Sequence, residues 1–340
     1  MDSNPADAPA LSVSASVASA AISPNIEPPI VAELVERPAW QAAEPIYYVV
    51  PRRRRVGLPI ALFIITCIST FWVGACGEFG TQDGEGPIAL VAAVVDPQAL
   101  WLILSEGWRD GLLYMTAVMS ILLAHEMGHF LQAVRYRIPA SLPFFIPMPL
   151  TPIGTMGAVI GMQGSQADRR EMFDIGISGP LAGLLVALPI AWFGIQQAQP
   201  GESIFADPLL FQMLTHWLRP ELPADTAFAW NPLRMAAWVG MLITGLNMLP
   251  ISQLDGGHVA YALFGRRAHL IARGMILAAV IFILASQQYS WIVMLILVML
   301  IGTDHPPTRD DRVPLGRGRQ ILGLASLLIP IFCFAPIPIR

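Results

Sequence analysis

The chain has 340 residues, is 55% hydrophobic and only 13% charged, and carries a net charge of −4, with a mean hydropathy of +0.58. A soluble domain is roughly 25% charged, so too few charges are present to cover a water-facing surface, and an ordinary soluble globular protein is excluded. The class is a helical membrane protein; net charge alone selects no partner, and no nucleic-acid partner is expected.

Residues 1–46 are rich in Ala, Pro and Ser with scattered acids, which predicts a disordered tail reaching to about residue 50. No basic stretch precedes a short apolar run there, so a secretory signal is not expected, and the acids are unlike a transit peptide. Arg52, Arg53, Arg54 and Arg55 then stand directly before the apolar run 58–76. Such a cluster is a positive-inside anchor and predicts a cytoplasmic N-terminus.

Further apolar runs cover 111–133, 175–196, 233–251, 269–286, 289–303 and 321–338. They approach the roughly 20 residues that a helix needs to cross a bilayer, so seven spans are expected. Segment 78–108, with its acids and with Pro87 and Pro97, reads as an outer loop holding an interfacial apolar stretch. With seven alternating spans, cytoplasmic segments carry Arg37, Arg52 to Arg55, Arg135, Arg137, Arg169, Arg170, Arg266, Arg267, Arg273, Arg309, Arg312, Arg317 and Arg319. Outer segments carry Arg109, Arg219, Arg234 and Arg340, a split of 16 to 4. A one-span error would destroy that asymmetry. Cys67, Cys76 and Cys333 lack metal-ligand spacing, and Cys67 and Cys333, which sit in apolar runs, read as small core or lipid-facing residues.

Segment 138–165 breaks the pattern. Its first half holds five prolines, Pro139, Pro143, Pro147, Pro149 and Pro152, which exclude a helix. Its second half, with β-branched residues and glycines, suits a short hairpin. Apolar non-helical backbone at a membrane persists only where protein buries it or where it lines a watery cavity, so a cavity is expected beside the span 111–133.

That span contains His125-Glu126-Met127-Gly128-His129. On a helix, positions i and i+4 share a face, so both imidazoles can hold one zinc ion, with Glu126 beside them as general base. A His, a Glu and a His are expensive inside an otherwise apolar span, and such residues are functional by default. Catalytic zinc takes three protein ligands. Asp255 lies at the end of the run from 233, where Pro250 and the pair Gly256-Gly257 are expected to unwind the helix. Spacing alone leaves it either a third ligand or a helix-end cap.

The pairing of His125-Glu126-Met127-Gly128-His129 with Leu254-Asp255-Gly256 resembles the site-2 protease family of intramembrane zinc metalloproteases. Gly176-Ile177-Ser178-Gly179-Pro180-Leu181-Ala182-Gly183, the run from Pro143 to Gly157 and Arg169-Arg170-Glu171-Met172-Phe173-Asp174 are similar to it as well. His305-Pro306-Pro307-Thr308 and Pro336-Ile337-Pro338 resemble the branch of plant chloroplast and bacterial members. No stretch looks large enough for a PDZ domain. The resemblance covers about residues 56–338.

It implies an all-α polytopic membrane fold with a small membrane-embedded β element and a metalloprotease domain over 56–340. It also implies one Zn2+ per chain held by His125, His129 and Asp255, with Glu126 as the base. Asn247 matches an asparagine thought to contact substrate or a developing oxyanion, although Met248 departs from the family's Asn-Pro-x-Pro pattern. The implied substrates are single-span membrane proteins, and the expected location is a bacterial inner membrane, with a chloroplast membrane as the alternative. Two rival readings are a catalytically silent scaffold, which the intact Glu126 opposes, and a zinc transporter, which would often show repeated halves. His258 is expected to face water, His305 to sit in a turn, and Glu171 and Asp174 to be acids at a helix start.

Overall fold

The computed structural model describes residues 56–77, 96–201, 205–223, 226–229, 231–302 and 304–335. The expected tail, the cluster Arg52 to Arg55, residues 78–95 and Pro336-Ile337-Pro338 lie outside them.

In chain order the helices are α1 (Gly57–Cys76), α2 (Pro97–Glu106), α3 (Trp108–Arg135), α4 (Arg169–Gln197), α5 (Leu209–Leu218) and α6 (Pro232–Asn247). They continue with α7 (Asp255–Phe264), α8 (Ala268–Ser286), α9 (Ile292–Ile301), α10 (Arg317–Ser326) and α11 (Ile329–Cys333). Strands β1 (Phe144–Met148) and β2 (Gly154–Val159) form a two-stranded antiparallel sheet.

Among the described residues, four helical stretches are long and apolar enough to cross a membrane: Gly57–Cys76, Trp108–Arg135, Arg169–Gln197 and Asp255–Ser286. The last joins α7 and α8 through the short 3-10 turn Gly265–Arg267. Four of the seven expected runs fall on these stretches. The other three fall on shorter helices: α6 has 16 residues, α9 has 10, and the run 321–338 is broken into α10 and α11. At 1.5 Å per residue, α6 is about 24 Å long, somewhat short of a bilayer's hydrocarbon thickness.

The outward faces are apolar. Leu185 is 74% exposed, Ile68 63% and Leu284 67%, a pattern that suits lipid rather than water. Inside, α3 packs against α1, α4 and α6 around Tyr114, Val118, Trp238 and Met241. The polar tips in this core are satisfied: Tyr114 Oη donates to the Ile153 carbonyl at 2.7 Å, and Trp238 Nε1 to that of Ala206 at 2.9 Å.

Part of the expected outer loop 78–108 proves helical. Asp96 caps α2 by accepting from the Gln98 N–H at 2.9 Å. Pro97, read as a breaker, occupies a first-turn position where a missing N–H costs nothing.

The hairpin forms where the prolines and glycines place it. Phe144 faces Val159, Phe145 faces Ala158 and Met148 faces Gly154, with an irregularity between Phe145 and Pro147. Gly154 and Gly157 have φ of +78° and +97°, which disfavours any side chain there. The hairpin is tied to α1, because Ser69 Oγ donates to the Gly154 carbonyl at 2.6 Å and Phe63 meets Phe145 edge-on at 5.1 Å.

Candidate metal centre

Helix α3 runs unbroken through His125, Glu126 and His129, which are 2%, 5% and 6% exposed. One turn separates the two histidines, and their rings stand edge-to-face at 5.1 Å. Three buried polar groups in such surroundings require partners. Asp255 meets the two histidines: its Oδ2 lies 3.1 Å from His125 Nε2 and its Oδ1 3.2 Å from His129 Nε2. The structure therefore brings together two histidines and a carboxylate from far apart in the chain. One ligand atom from each lies within 4.8 Å of the others.

Asp255 reaches this point through a break in the helical run. Helix α6 ends at Asn247, the chain turns through residues 248–254, and α7 starts at Asp255. The break was expected, but the glycines do a different job from the one expected of them. They lie inside the first turn of α7, and their missing side chains let that turn fold back on the preceding loop. A Cβ on Gly256 would stand 2.0 Å from the Met248 carbonyl oxygen, and one on Gly257 2.2 Å from that of Ser252.

Helix α4 closes the site from the opposite side with Gly179. A Cβ on Gly179 would lie 2.0 Å from His129 Nε2 and 2.4 and 2.5 Å from the ring carbons on either side of it, so any side chain there would press on the face of the imidazole. The same helix orients His129, whose Nδ1–H donates to the Ile175 carbonyl at 2.7 Å. This fixes the tautomer and turns the Nε2 lone pair toward Asp255.

Two imidazole nitrogens and one carboxylate constitute the donor set of a hydrolytic metal centre. Ligands about 2.0–2.1 Å from a tetrahedral ion stand roughly 3.3 Å apart, close to the 3.1 and 3.2 Å contacts observed. The residues fit a zinc ion.

A cavity of about 570 Å3 opens on this cluster, lined by Glu126, His129, Asn247, Asp255 and His258, and on the far side by the end of β2 and the loop after it. Asn247 Nδ2 lies 3.4 Å from His125 Nε2, so the expected asparagine does reach the site. The cavity beside the histidine-bearing helix, anticipated from the proline-rich segment, is present.

Residues 304–316 strap the N-terminal end of α4. Arg309 N–H donates to the Ala167 carbonyl at 2.8 Å and Arg169 N–H to that of Asp310 at 3.2 Å. Glu171 sits at the start of α4 as expected, in a capping box with Asp168. Asp174 is not merely a helix-start acid: it accepts from Arg319 at 2.7 and 2.8 Å and from Tyr136 Oη at 2.5 Å. His258 and His305 are in contact with each other at 2.7 Å beside the cavity, a pairing that the separate readings of the two residues did not include. The spacing Asp255-x-x-His258 on one helical face was the available signal for the first of these.

Comparison with known proteins agrees with the geometry. The model for Peptidase family M50 matches residues 113–286, from α3 through α8. The chain is 28% identical over 243 residues to "Probable zinc metalloprotease EGY2, chloroplastic" of Arabidopsis thaliana, covering 68% of this chain and 43% of that protein. It is 29% identical over 227 residues to "Probable zinc metalloprotease EGY1, chloroplastic" of Oryza sativa subsp. japonica, covering 62% and 38%. It is 26% identical over 302 residues to the EGY1 protein of Arabidopsis thaliana, covering 82% and 53%. The chain thus spans about half the length of these relatives or less.

Proposed function

The chain belongs to peptidase family M50, and on that premise we propose that it is an intramembrane zinc endopeptidase. It hydrolyses peptide bonds within or near the transmembrane segments of membrane-protein substrates. The observation that carries this reading is the convergence of His125, His129 and Asp255, with Glu126 beside them, on one cavity within apolar helices.

In this reading His125 Nε2, His129 Nε2 and the Asp255 carboxylate hold one Zn2+ per chain. When bound, the ion supplies Lewis-acid polarisation and makes a water acidic near neutral pH. Glu126, buried and lining the cavity, takes the proton of the attacking water and delivers it to the leaving amine. The Asn247 amide, 3.4 Å from His125 Nε2, supplies an N–H donor to the oxygen on which charge develops. Ile175 holds the orientation of His129, and α4 excludes lipid from the metal side.

A substrate helix must unwind before its carbonyls can react. Strand β2, whose end lines the cavity, offers backbone groups with which an extended substrate segment pairs as an added strand.

The protease domain extends over 56–340, preceded by a cytoplasmic tail at 1–50. The membrane is crossed seven times, and the 16 to 4 division of arginines supports that orientation. The proposed location is a bacterial inner membrane, whereas the relatives named above are chloroplastic. Substrates are proteins with a single membrane-spanning helix.

Glu126→Gln is the test. The purified variant retains the zinc of the wild type and loses at least a hundredfold in cleavage of a single-span substrate, the scale typical of a lost general base. Equal cleavage by both forms would refute the assignment of the base. Zinc flux across vesicles without any cleavage would favour transport.

A further inference from the structure

His258 follows Asp255 by three residues on α7, so the two side chains share a helical face, and His258 lines the same cavity. Its Nδ1 lies 2.7 Å from His305 Nε2, and His305 Nδ1 lies 2.5 Å from the Pro306 carbonyl oxygen. A carbonyl oxygen only accepts, and a neutral imidazole carries one N–H. The direction of the chain of bonds is therefore forced. His305 Nδ1–H donates to Pro306, His305 Nε2 accepts, and His258 Nδ1–H donates to it. His258 Nε2 is left as a bare acceptor. That nitrogen is not among the buried unpartnered atoms of the described residues, so it is open to the cavity.

The second histidine is held firmly. The Tyr261 ring stacks on His305 at 4.3 Å and 14°. Tyr261 Oη donates to Asp311 at 2.9 Å, and Thr308 Oγ1 donates to the same carboxylate at 2.6 Å. Burial holds the His305 imidazole below its usual pKa, which keeps it neutral and the bond direction fixed. Structural histidine pairs need only tie two segments together. This pair does so and also presents a lone pair of set direction to the catalytic cavity.

We propose that His258 Nε2 accepts a hydrogen bond from a backbone N–H of the substrate segment, with His305 acting behind it as the residue that fixes its tautomer. An unwound substrate carries N–H groups that have lost their helical partners, and each is costly if buried unpaired. Strand β2 serves one edge of the extended segment, and His258 serves the side formed by α7. The proposal rests on the proteolytic reading above.

A single-span substrate in which one backbone amide near the cleavage point is replaced by an ester removes one N–H and keeps the shape. Wild type loses about tenfold in kcat/KM at one such position, the order expected for one buried hydrogen bond. His258→Phe loses about the same on the all-amide substrate and nothing further on that ester. His258→Gln, whose amide oxygen can reach the same place, recovers most of the loss, and zinc content is equal in all forms. Unchanged cleavage by His258→Phe, or losses that multiply at every ester position, would overturn the proposal. Nitrogen-15 NMR of the histidine-labelled full chain is independent of cleavage. It should show the Nδ1–H tautomer at both His258 and His305, and an Nε2–H on His258 would overturn the proposal. If wild type cleaves no membrane substrate, the proteolytic reading itself fails, whatever the tautomers are.

Discussion

At the scale of single residues, the site depends as much on what is missing from Gly179 as on what His129 supplies. His125, Glu126 and His129 were legible in five consecutive letters, because i and i+4 spacing on a helix is a local property. Asp255 was legible only as a choice between ligand and cap, since nothing local shows that a carboxylate so far along the chain returns to α3. Gly179 stands out in the sequence only as part of the stretch Gly176 to Gly183 that resembles the family. Its particular task follows from a distance between two helices, which no spacing rule contains. Gly179→Ala is expected to displace His129 Nε2 and to weaken zinc binding by about ten- to a hundredfold, as loss of a ligand-orienting contact does. Metal analysis of the purified variant, titrated with a competing chelator, measures this. Zinc affinity equal to that of the wild type would show that the helices shift to accept the methyl group.

At the scale of elements, the hairpin and the strap frame the cavity from two sides. The hairpin was legible because prolines exclude a helix and glycines with positive φ mark where the strands bend. Met156→Pro removes an N–H from β2 and constrains its backbone, whereas Met156→Ala preserves both. The first is expected to lose at least tenfold in cleavage with zinc retained, and the second to stay near wild type. Cleavage intact in the proline variant would remove the strand from substrate binding.

The strap was not legible, because its ties are scattered: Arg309 to Asp168 and Glu171, and the Asp310 carbonyl to the Arg169 N–H. It does carry a pH signature. Burial depresses the His305 imidazole, with His258, His269, Tyr261 and Asp311 around it. Burial pushes the Asp311 carboxyl up, but hydrogen bonds from Thr308 and Tyr261 outweigh it and hold the group below the usual range, so it stays charged. A depressed histidine favours the folded strap above the ordinary value near 6.5 and withdraws that support as pH falls below it. Amide exchange over 304–316, corrected for intrinsic rates, should quicken between about pH 7 and pH 5, and His305→Phe should flatten the change. Exchange in the wild type that does not respond to pH would contradict this.

At the scale of the molecule, composition settled the class, and hydropathy found the long helices. It says less where helices are short. Helix α6 has 16 residues, and 12 of them are buried, so its apolar run answers to protein packing as much as to lipid. The run 321–338 looks continuous in hydropathy, yet the chain there divides into α10 and α11, with Pro330 in the first turn of the latter. A helix covered by its neighbours and a helix facing lipid have the same composition, and only packing separates them.

The most direct measurement is X-ray absorption at the zinc edge on the purified full-length chain, with metal content determined for the wild type and for Asp255→Ala. One zinc per chain should be found, with two imidazole nitrogens and carboxylate oxygen at about 2.0–2.2 Å, and the variant should lose most of that metal. A wild type without stoichiometric zinc, or an Asp255→Ala variant that keeps the full complement in the same environment, would contradict a centre built from His125, His129 and Asp255.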